Sequence, residues 1–321
     1  MIIAEAGPWS DYLPAWEACM RGVHWFDEIR FFDYTREEET RELEEQFDEE
    51  GNIFLVALDP QPIGVLGIRV NGEQGTIRRY EPAVKGGHIG EDVGEALIAE
   101  GIWRAALRGV RTLRTTLRFP HDTPSPWQAA LFRDYGFVDG RERGVQLIAD
   151  LDSTRLEPMD METTACDEFA LEEVAGFVLR AFTGTPEDRA IHERDQNVTR
   201  FDPTLQTLRD IWDGRHGRTP PGFRKVALMD GEPAGFIISF MPEPGSRGPY
   251  GTIGCLGVFP EYRGRGIATS LIGDALWLFK RHGCRYAYVG TPERNIKAIS
   301  LYEKLGFEPI FRIHFYEKKI G

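Results

Sequence analysis

Segments from the first half of this 321-residue chain recur in its second half in the same order. Residues 56–64 resemble 226–235, and both read as a β-hairpin: an apolar strand, a polar turn and a second strand. Three further pairs follow in register: 75–77 with 251–253, 96–109 with 270–283, and 131–137 with 301–307. The repetition predicts two copies of one domain, over 1–152 and 153–321, joined at the polar segment 152–154. The length suits two domains of average size.

Each copy shows the same order of elements: helices, a hairpin, a strand, a glycine turn, a helix, a strand, a short helix and a terminal strand. In the second copy, apolar residues at helical spacing from Ile267 to Phe279 predict a helix that Gly283 terminates. Residues 285–289 read as a strand, and 296–305 as a short helix. An antiparallel hairpin that runs into a βαβ unit predicts an α+β fold.

The second copy contains a basic, glycine-rich turn directly before its predicted helix. Residues 263–266 read Arg-Gly-Arg-Gly. Glycine tolerates positive φ and lets the backbone approach a ligand closely. The start of a helix offers unpaired N–H groups and a partial positive charge. The turn therefore predicts an anion site, most naturally for a phosphate or pyrophosphate.

Two motifs of the second copy together resemble the GCN5-related N-acetyltransferase (GNAT) family. Residues 258–268 read Val-x-Pro-x-x-Arg-Gly-Arg-Gly-Ile-Ala, and residues 295–307 read Asn-x-x-Ala-x-x-Leu-Tyr-x-x-x-Gly-Phe. The resemblance covers residues 225–318, and it extends over 155–224 in the order of elements. It implies two tandem GNAT-like acyl-CoA N-acyltransferase domains, each a mixed, mostly antiparallel sheet flanked by helices. Tandem members of the family such as mycothiol synthase have this layout. The similarity concerns the architecture and implies nothing about the substrate.

The resemblance implies a set of residues that bind acetyl-CoA. Backbone N–H groups of the turn would hold the CoA pyrophosphate, and the strand before it would pair with the pantetheine arm. The two arginines would add charge near the phosphates, although a solvated basic turn would look the same. The asparagine is either an N-cap alone or also a pantetheine contact. The residues concerned are Leu256, Val258, Arg263, Gly264, Arg265, Gly266, Ile267, Ala268 and Asn295.

The resemblance also implies that Tyr302 is the catalytic acid. Amine attack on a thioester expels a thiolate, to which a positioned phenol can donate a proton; a packed core tyrosine is the alternative. For the base, Glu243 is our first candidate. His192, Glu193 and Asp195 lie where the family places acceptor contacts, and a surface position is the alternative for each. Cys255 is expected to be a small buried residue rather than a nucleophile, since the family transfers the acyl group directly.

The first copy departs from the pattern at the site. Residues 90–93 read Gly-Glu-Asp-Val where residues 264–267 read Gly-Arg-Gly-Ile, and Phe132 stands in the place of Tyr302. Carboxylates repel a pyrophosphate at short range, and phenylalanine has no hydroxyl to donate. We therefore expect the first copy to keep the fold without the catalysis.

Composition narrows the class of protein. A net charge of −13 disfavours a nucleic-acid partner; it either helps to attract a cationic acceptor or serves solubility. The sequence contains no run of about 18 apolar residues, so we expect no membrane span. Its first residues do not resemble a signal peptide. The four scattered cysteines argue against a zinc site or a disulfide framework and for a reducing compartment. We expect a cytoplasmic protein.

The sequence thus predicts an N-acetyltransferase that transfers the acetyl group of acetyl-CoA directly to a primary amine of a small molecule or a peptide. Acetyl-CoA would be its co-substrate, and no metal ion would be required. We expect no membrane or nucleic-acid partner, and either a monomer or a homodimer. The alternative is an acyl-CoA-binding regulatory module without catalysis. A P-loop protein is disfavoured, because no Gly-Lys-Ser/Thr follows the turn.

Overall fold

The computed structural model describes residues 1–7, 9–20, 51–78, 81–140, 143–154, 161–242 and 249–321. The chain divides into two compact units. Unit 1 is Met1–Arg141 together with Ile313–Gly321, and unit 2 is Glu142–Arg312. The predicted domains 1–152 and 153–321 follow the sequence repeat instead, and that division stays a prediction.

Unit 1 has a sheet in which β1 to β4 pair in sequence order as antiparallel neighbours and β4 pairs with β6 in parallel. Its apolar core lies between this sheet and the helices that cover it. The elements are β1 (Ile2–Glu5), α1 (Trp9–Met20), β2 (Ile53–Asp59), β3 (Gln61–Asn71), β4 (Gln74–Ile77), β5 (Ala83–Val84), α2 (Val93–Leu107), β6 (Thr112–Pro120), α3 (Gln128–Asp134) and β7 (Val138–Asp139).

Unit 2 has a sheet of order β8-β13-β12-β11-β10-β9, in which the β12–β13 pair is parallel and the others are antiparallel. One apolar core lies under α8 and α9, and the other under α4 and α7. The elements are β8 (Gly144–Asp150), β9 (Thr163–Ala165), α4 (Leu171–Thr183), α5 (Pro186–His192), α6 (Gln196–Thr199), α7 (Phe201–Trp212), β10 (Arg224–Met229), β11 (Glu232–Phe240), β12 (Gly251–Val258), α8 (Ile267–Arg281), β13 (Tyr286–Pro292), α9 (Ile296–Lys304) and β14 (Phe307–Lys319).

The two units repeat each other in backbone detail. Both hairpins have a register shift at the matching place, after Ala57 in β2 and after Ala227 in β10. Both long helices begin after a residue in the left-handed conformation, Asp92 before α2 and Gly266 before α8. The predicted fold class, a mixed and mostly antiparallel sheet flanked by helices in each copy, is confirmed.

The elements around the predicted turn agree with the sequence patterns. Helix α8 begins at Ile267 and ends at Arg281, and Gly283 has a φ of +81°, as expected of a glycine that follows a helix. The predicted strand 285–289 is β13, and the predicted helix 296–305 is α9. These segments are predictable because their signals are local.

The terminal strand of each sequence copy belongs to the unit built mainly by the other copy. Strand β8 precedes the predicted join at 152–154, yet it pairs with β13 within unit 2. Residues from Ile313 onward form the end of the second copy, yet they belong to unit 1, where Tyr316 and Glu317 pair with β7. Over the described residues, no helix is both long and apolar enough to cross a membrane.

Candidate active site

A cavity of about 510 Å³ opens where two strands of unit 2 separate. The parallel pairing of β12 with β13 ends at Ile253 and Val289. Next to this point β12 has a bulge against β11, between Ile253 and Cys255. From Gly254 onward both strands line the cavity, together with residues of α4, α5, α6, α8 and α9. The gap between the strands leaves a backbone edge along which an extended ligand could bind.

The glycine turn forms one end of this cavity. Gly264 and Gly266 have φ values of +77° and +81°, so the backbone conformation itself favours glycine. A Cβ atom added to either residue would meet no atom within 4 Å. The space beside the turn is therefore open to a ligand.

The start of α8 supplies hydrogen-bond donors to the same space. No side chain caps this helix, and its first turn contains no acidic residue. The first intrahelical bond runs from Ser270 N–H to Gly266 C=O. The preceding N–H groups have no intrahelical acceptor, and their residues, Ile267, Ala268 and Thr269, line the cavity. This arrangement fits a pyrophosphate group.

Arg263 lies at the turn, but its guanidinium contacts protein groups. Its Nε donates to Val258 C=O at 3.0 Å, and Nη2 donates to Ala181 C=O at 2.9 Å. Its Nη1 donates to both carboxylate oxygens of Asp188 at 3.0 Å. The arginine thus ties the turn to the end of α4 and to α5. Sequence reasoning missed Asp188, because nothing local links two residues so far apart in the chain.

The other predicted cofactor-binding residues come together around the cavity, with one exception. Arg265 is exposed, does not line the cavity, and lies over the ring of Tyr262 with its Cζ 5.6 Å from the ring centroid. Asn295 lines the cavity and caps α9: its Oδ1 accepts from Ala298 N–H at 3.3 Å, and its Nδ2 donates to Thr291 Oγ1 at 3.2 Å. Lining the cavity with it are Leu256, Val258, Arg263, Gly264, Gly266, Ile267 and Ala268.

Tyr302 lies in the cavity wall with only 6% of its surface exposed. Its ring packs edge-on against Phe307 at 5.6 Å. Its hydroxyl has no hydrogen-bond partner among the described residues. Burial, and to a lesser extent the neighbouring Cys255, raises the pKa of Tyr302 well above the ordinary 10. The phenol is therefore protonated at neutral pH, which is the form that an acid requires.

The candidate bases have different positions. Glu243 lies outside the described residues. His192 and Asp195 line the cavity, whereas Glu193 does not. Burial raises the pKa of the Cys255 thiol to about 12, so this residue is a neutral thiol in the wall and a poor nucleophile. The described residues contain no group of three or more His, Cys, Asp or Glu side chains that could hold a metal ion.

The corresponding region of unit 1 has different chemistry. Helix α2 follows Asp92, and Glu91 lies 2.6 Å from the ring of His88. Two carboxylates thus lie at the helix start that matches the start of α8. Phe132 is fully buried and packs against Phe137 with ring centroids 5.1 Å apart.

A buried polar cluster occupies unit 1 just before β5. Val84 pairs with Gly64 as Val258 pairs with Gly235. Three residues before Val84, the fully buried Glu81 accepts hydrogen bonds from Tyr12 Oη at 3.0 Å and from Gly67 N–H. Its other oxygen lies 3.5 Å from Arg78 Nε. Protein side chains therefore fill the interior next to this strand.

Comparisons with known proteins agree with this architecture. Residues 188–307 match the sequence profile of the acetyltransferase (GNAT) family. An acetyltransferase of Pectobacterium atrosepticum is 34% identical over 90 residues, which are 28% of this chain and 60% of that protein. The match thus spans less than two thirds of this relative.

Solved structures show the same fold along the whole chain. A GCN5-related N-acetyltransferase from Sphaerobacter thermophilus superposes with a TM-score of 0.61 at 19% identity, over 99% of this chain and 95% of that one. A tandem GNAT protein from the clavulanic acid biosynthesis pathway gives a TM-score of 0.55 at 19% identity, over 100% and 98% of the two chains. The fold of the chain is thus the fold of GNAT proteins. Residues 188–307 are similar to the GNAT acetyltransferase family, whose members use acetyl-CoA as a co-substrate.

Proposed function

We propose that the protein transfers the acetyl group of acetyl-CoA directly to a primary amine of a small molecule or a peptide, and that unit 2 carries the reaction. The observation that supports this most strongly is the cavity of unit 2, which joins an open anion-binding turn to a buried tyrosine. Both belong to one continuous wall, so one ligand can reach both.

The residues around the cavity fit acyl-CoA. The N–H groups at the start of α8 and the open backbone of Gly264 and Gly266 would hold the pyrophosphate. The free edge of β12 at Leu256 and Val258 would pair with the pantetheine arm as a strand pairs with its neighbour. Acetyl-CoA supplies a thioester, whose carbonyl carbon is open to attack by an amine.

Tyr302 would then act as the acid. Its buried hydroxyl is protonated, has no protein acceptor among the described residues, and faces the same cavity as the turn. As the C–S bond breaks, the phenol gives its proton to the sulfur, which stabilises the charge that develops on the leaving group.

Three features of unit 1 support a non-catalytic role for it. Glu91 and Asp92 oppose an anion at the start of α2. Phe132 provides no hydroxyl where unit 2 has Tyr302. The buried cluster around Glu81 fills the interior beside β5. Each change alone would weaken binding or catalysis, and together they leave unit 2 as the working half.

A thiol-release assay with acetyl-CoA tests the proposal. We expect free thiol to appear with at least one amine of a panel that contains spermidine, tyramine, glucosamine and a peptide with a free amino terminus. Mass spectrometry would show an amine product heavier by one acetyl group. An acyl-CoA-binding regulatory module would instead show a rise in Tm with CoA and no thiol release with any amine.

A further inference from the structure

We propose that His192 is the group that takes the proton from the acceptor amine, an inference that rests on the proposed function. The sequence offers four candidates for this base, and their patterns do not distinguish them. The position of the imidazole in unit 2 favours His192.

His192 is a polar side chain buried in the cavity wall without a hydrogen-bond partner. It is the last residue of α5, its exposed fraction is 7%, and it lines the cavity. Its ring packs edge-on against Phe182 with the centroids 4.7 Å apart. Neither ring nitrogen is hydrogen-bonded to any described residue. A buried polar group is normally paired, so an unpaired imidazole that faces a cavity is suited to a ligand.

The charges around the imidazole suit a base that works near neutral pH. Burial lowers the pKa of His192 below its ordinary 6.5, and Arg294 acts in the same direction, whereas Asp195 and Asp188 oppose the shift. The ring is therefore neutral at pH 7 and ready to accept a proton. The two carboxylates then stabilise the imidazolium once it forms.

The wall around His192 and the wall around Tyr302 are continuous. Asp195 lies near enough to Cys255 to raise the pKa of its thiol, and Cys255 acts on Tyr302 in the same way. The imidazole and the phenol thus belong to the same cavity, one on α5 and the other on α9. A base on α5 and an acid on α9 in one cavity match the two proton transfers of the reaction.

The proton balance assigns a different task to each residue. The bound ammonium gives one proton to His192, and its nitrogen lone pair then forms the C–N bond with the acetyl carbon. The C–S bond breaks, and the sulfur keeps that electron pair and takes a proton from the Tyr302 hydroxyl. The second proton of the nitrogen restores the Tyr302 phenol, and His192 releases the first one to water. The products are an N-acetyl amine, CoA thiol and one proton.

The pH profile of kcat/KM, measured with the fastest amine of the panel, separates this role from a structural one. If His192 deprotonates a bound ammonium, kcat/KM of the wild type is flat between the pKa of His192 and the pKa of the amine. Without the base only free amine reacts, so kcat/KM rises tenfold per pH unit up to the pKa of the amine. We expect His192→Gln to show this rise and to lower kcat/KM by about 10²-fold or more at pH 7.

Three further variants complete the test. His216→Gln is the matched control, because His216 also lies beside an aromatic ring, Phe240 at 5.7 Å, but outside the cavity wall; we expect it to keep the plateau. His192→Ala should regain activity when imidazole is added to the buffer. Glu243→Gln should keep the plateau as well. The rise in Tm with CoA confirms that each variant folds and binds.

Two results would overturn the assignment. A His192→Gln protein that keeps the wild-type plateau, with Glu243→Gln losing it, would make Glu243 the base. A plateau in every variant would exclude both residues. Failure of the proposed function gives a different result: the wild type itself would release no thiol with any amine, and the assignment of His192 would end with it.

Discussion

Arg263 and Asp188 form a double hydrogen bond, with one guanidinium nitrogen 3.0 Å from both carboxylate oxygens. The arginine belongs to the turn before α8 and the aspartate to α5. Asp188 is also bound to the Thr185 hydroxyl at 2.6 Å. The contact therefore joins the turn proposed for acyl-CoA to the helix that bears His192.

Arg263→Ala should destabilise the protein even without CoA. The substitution removes the ion pair and the hydrogen bonds to two carbonyl groups; for a residue with 38% of its side chain exposed, we expect a loss of about 1 kcal/mol in the free energy of unfolding. That corresponds to a Tm lower by about 2–4 °C for a unit of this size. The measurement is thermal unfolding of the free protein. Arg265→Ala, at an exposed site of the same turn, is the control that should leave this Tm unchanged. Equal Tm values for both variants would contradict the structural role of Arg263.

Gly266→Asp should weaken the binding of CoA. The substitution places in unit 2 the residue found before the matching helix of unit 1, where Asp92 has a φ of +55°. A carboxylate at the helix start repels a pyrophosphate, and we expect an affinity lower by about 10-fold at low salt, or about 1.4 kcal/mol. Gly266→Asn is the matched control, because asparagine tolerates positive φ and adds no charge. Calorimetric titration of both variants with CoA separates charge from backbone strain. A similar loss in the two proteins would show that strain, and not charge, is responsible.

Tyr302→Phe should lower kcat by about 10² to 10⁴-fold and leave the affinity for acetyl-CoA nearly unchanged. The phenylalanine keeps the contact with Phe307 and removes only the hydroxyl. Steady-state kinetics and calorimetry measure the two quantities. Tyr286→Phe, on β13 but outside the cavity wall, is expected to behave like the wild type. An unchanged kcat in Tyr302→Phe would exclude the role of the acid.

His192 should make stability depend on pH in a definite direction. Because its pKa is lowered in the folded state, the unfolded chain binds more protons between that value and the ordinary 6.5. Stability is therefore complete above about pH 6.5 and falls as the pH decreases through the folded-state pKa. The Tm of the wild type should decline more steeply between pH 7 and pH 5 than the Tm of His192→Gln. Parallel curves for the two proteins would contradict a buried neutral imidazole.

The parts of the fold that the sequence predicted depend on local chemistry. The start of α8 at Ile267, its end before Gly283 and the cap at Asn295 all follow from residues within a few positions of one another. Each hairpin is also a local pattern, and the repeat was recognised because such local patterns occur twice in the same order. These local features define the turn before α8 and the short helix that contains Tyr302. The turn and Tyr302 line the same cavity.

The remaining features depend on contacts between distant segments. The sequence around Arg263 shows only a cation beside two glycines. Its partner Asp188, which belongs to α5, becomes its neighbour only in the folded chain. His192 packs against Phe182 of a different helix. No periodicity or motif encodes such pairs, so the sequence alone left the base open among four residues.

The distribution of the terminal strands restricts how this protein can be divided or rearranged. A cut at the predicted join, residues 152–154, would place β8 on the N-terminal fragment. Its neighbour β13, which lines the cavity, would be on the C-terminal fragment. The same cut would take residues 313–321 away from the unit that contains β7. Separate expression of the two sequence copies would therefore part each terminal strand from its pairing partner, and neither fragment would contain all the strands of its unit.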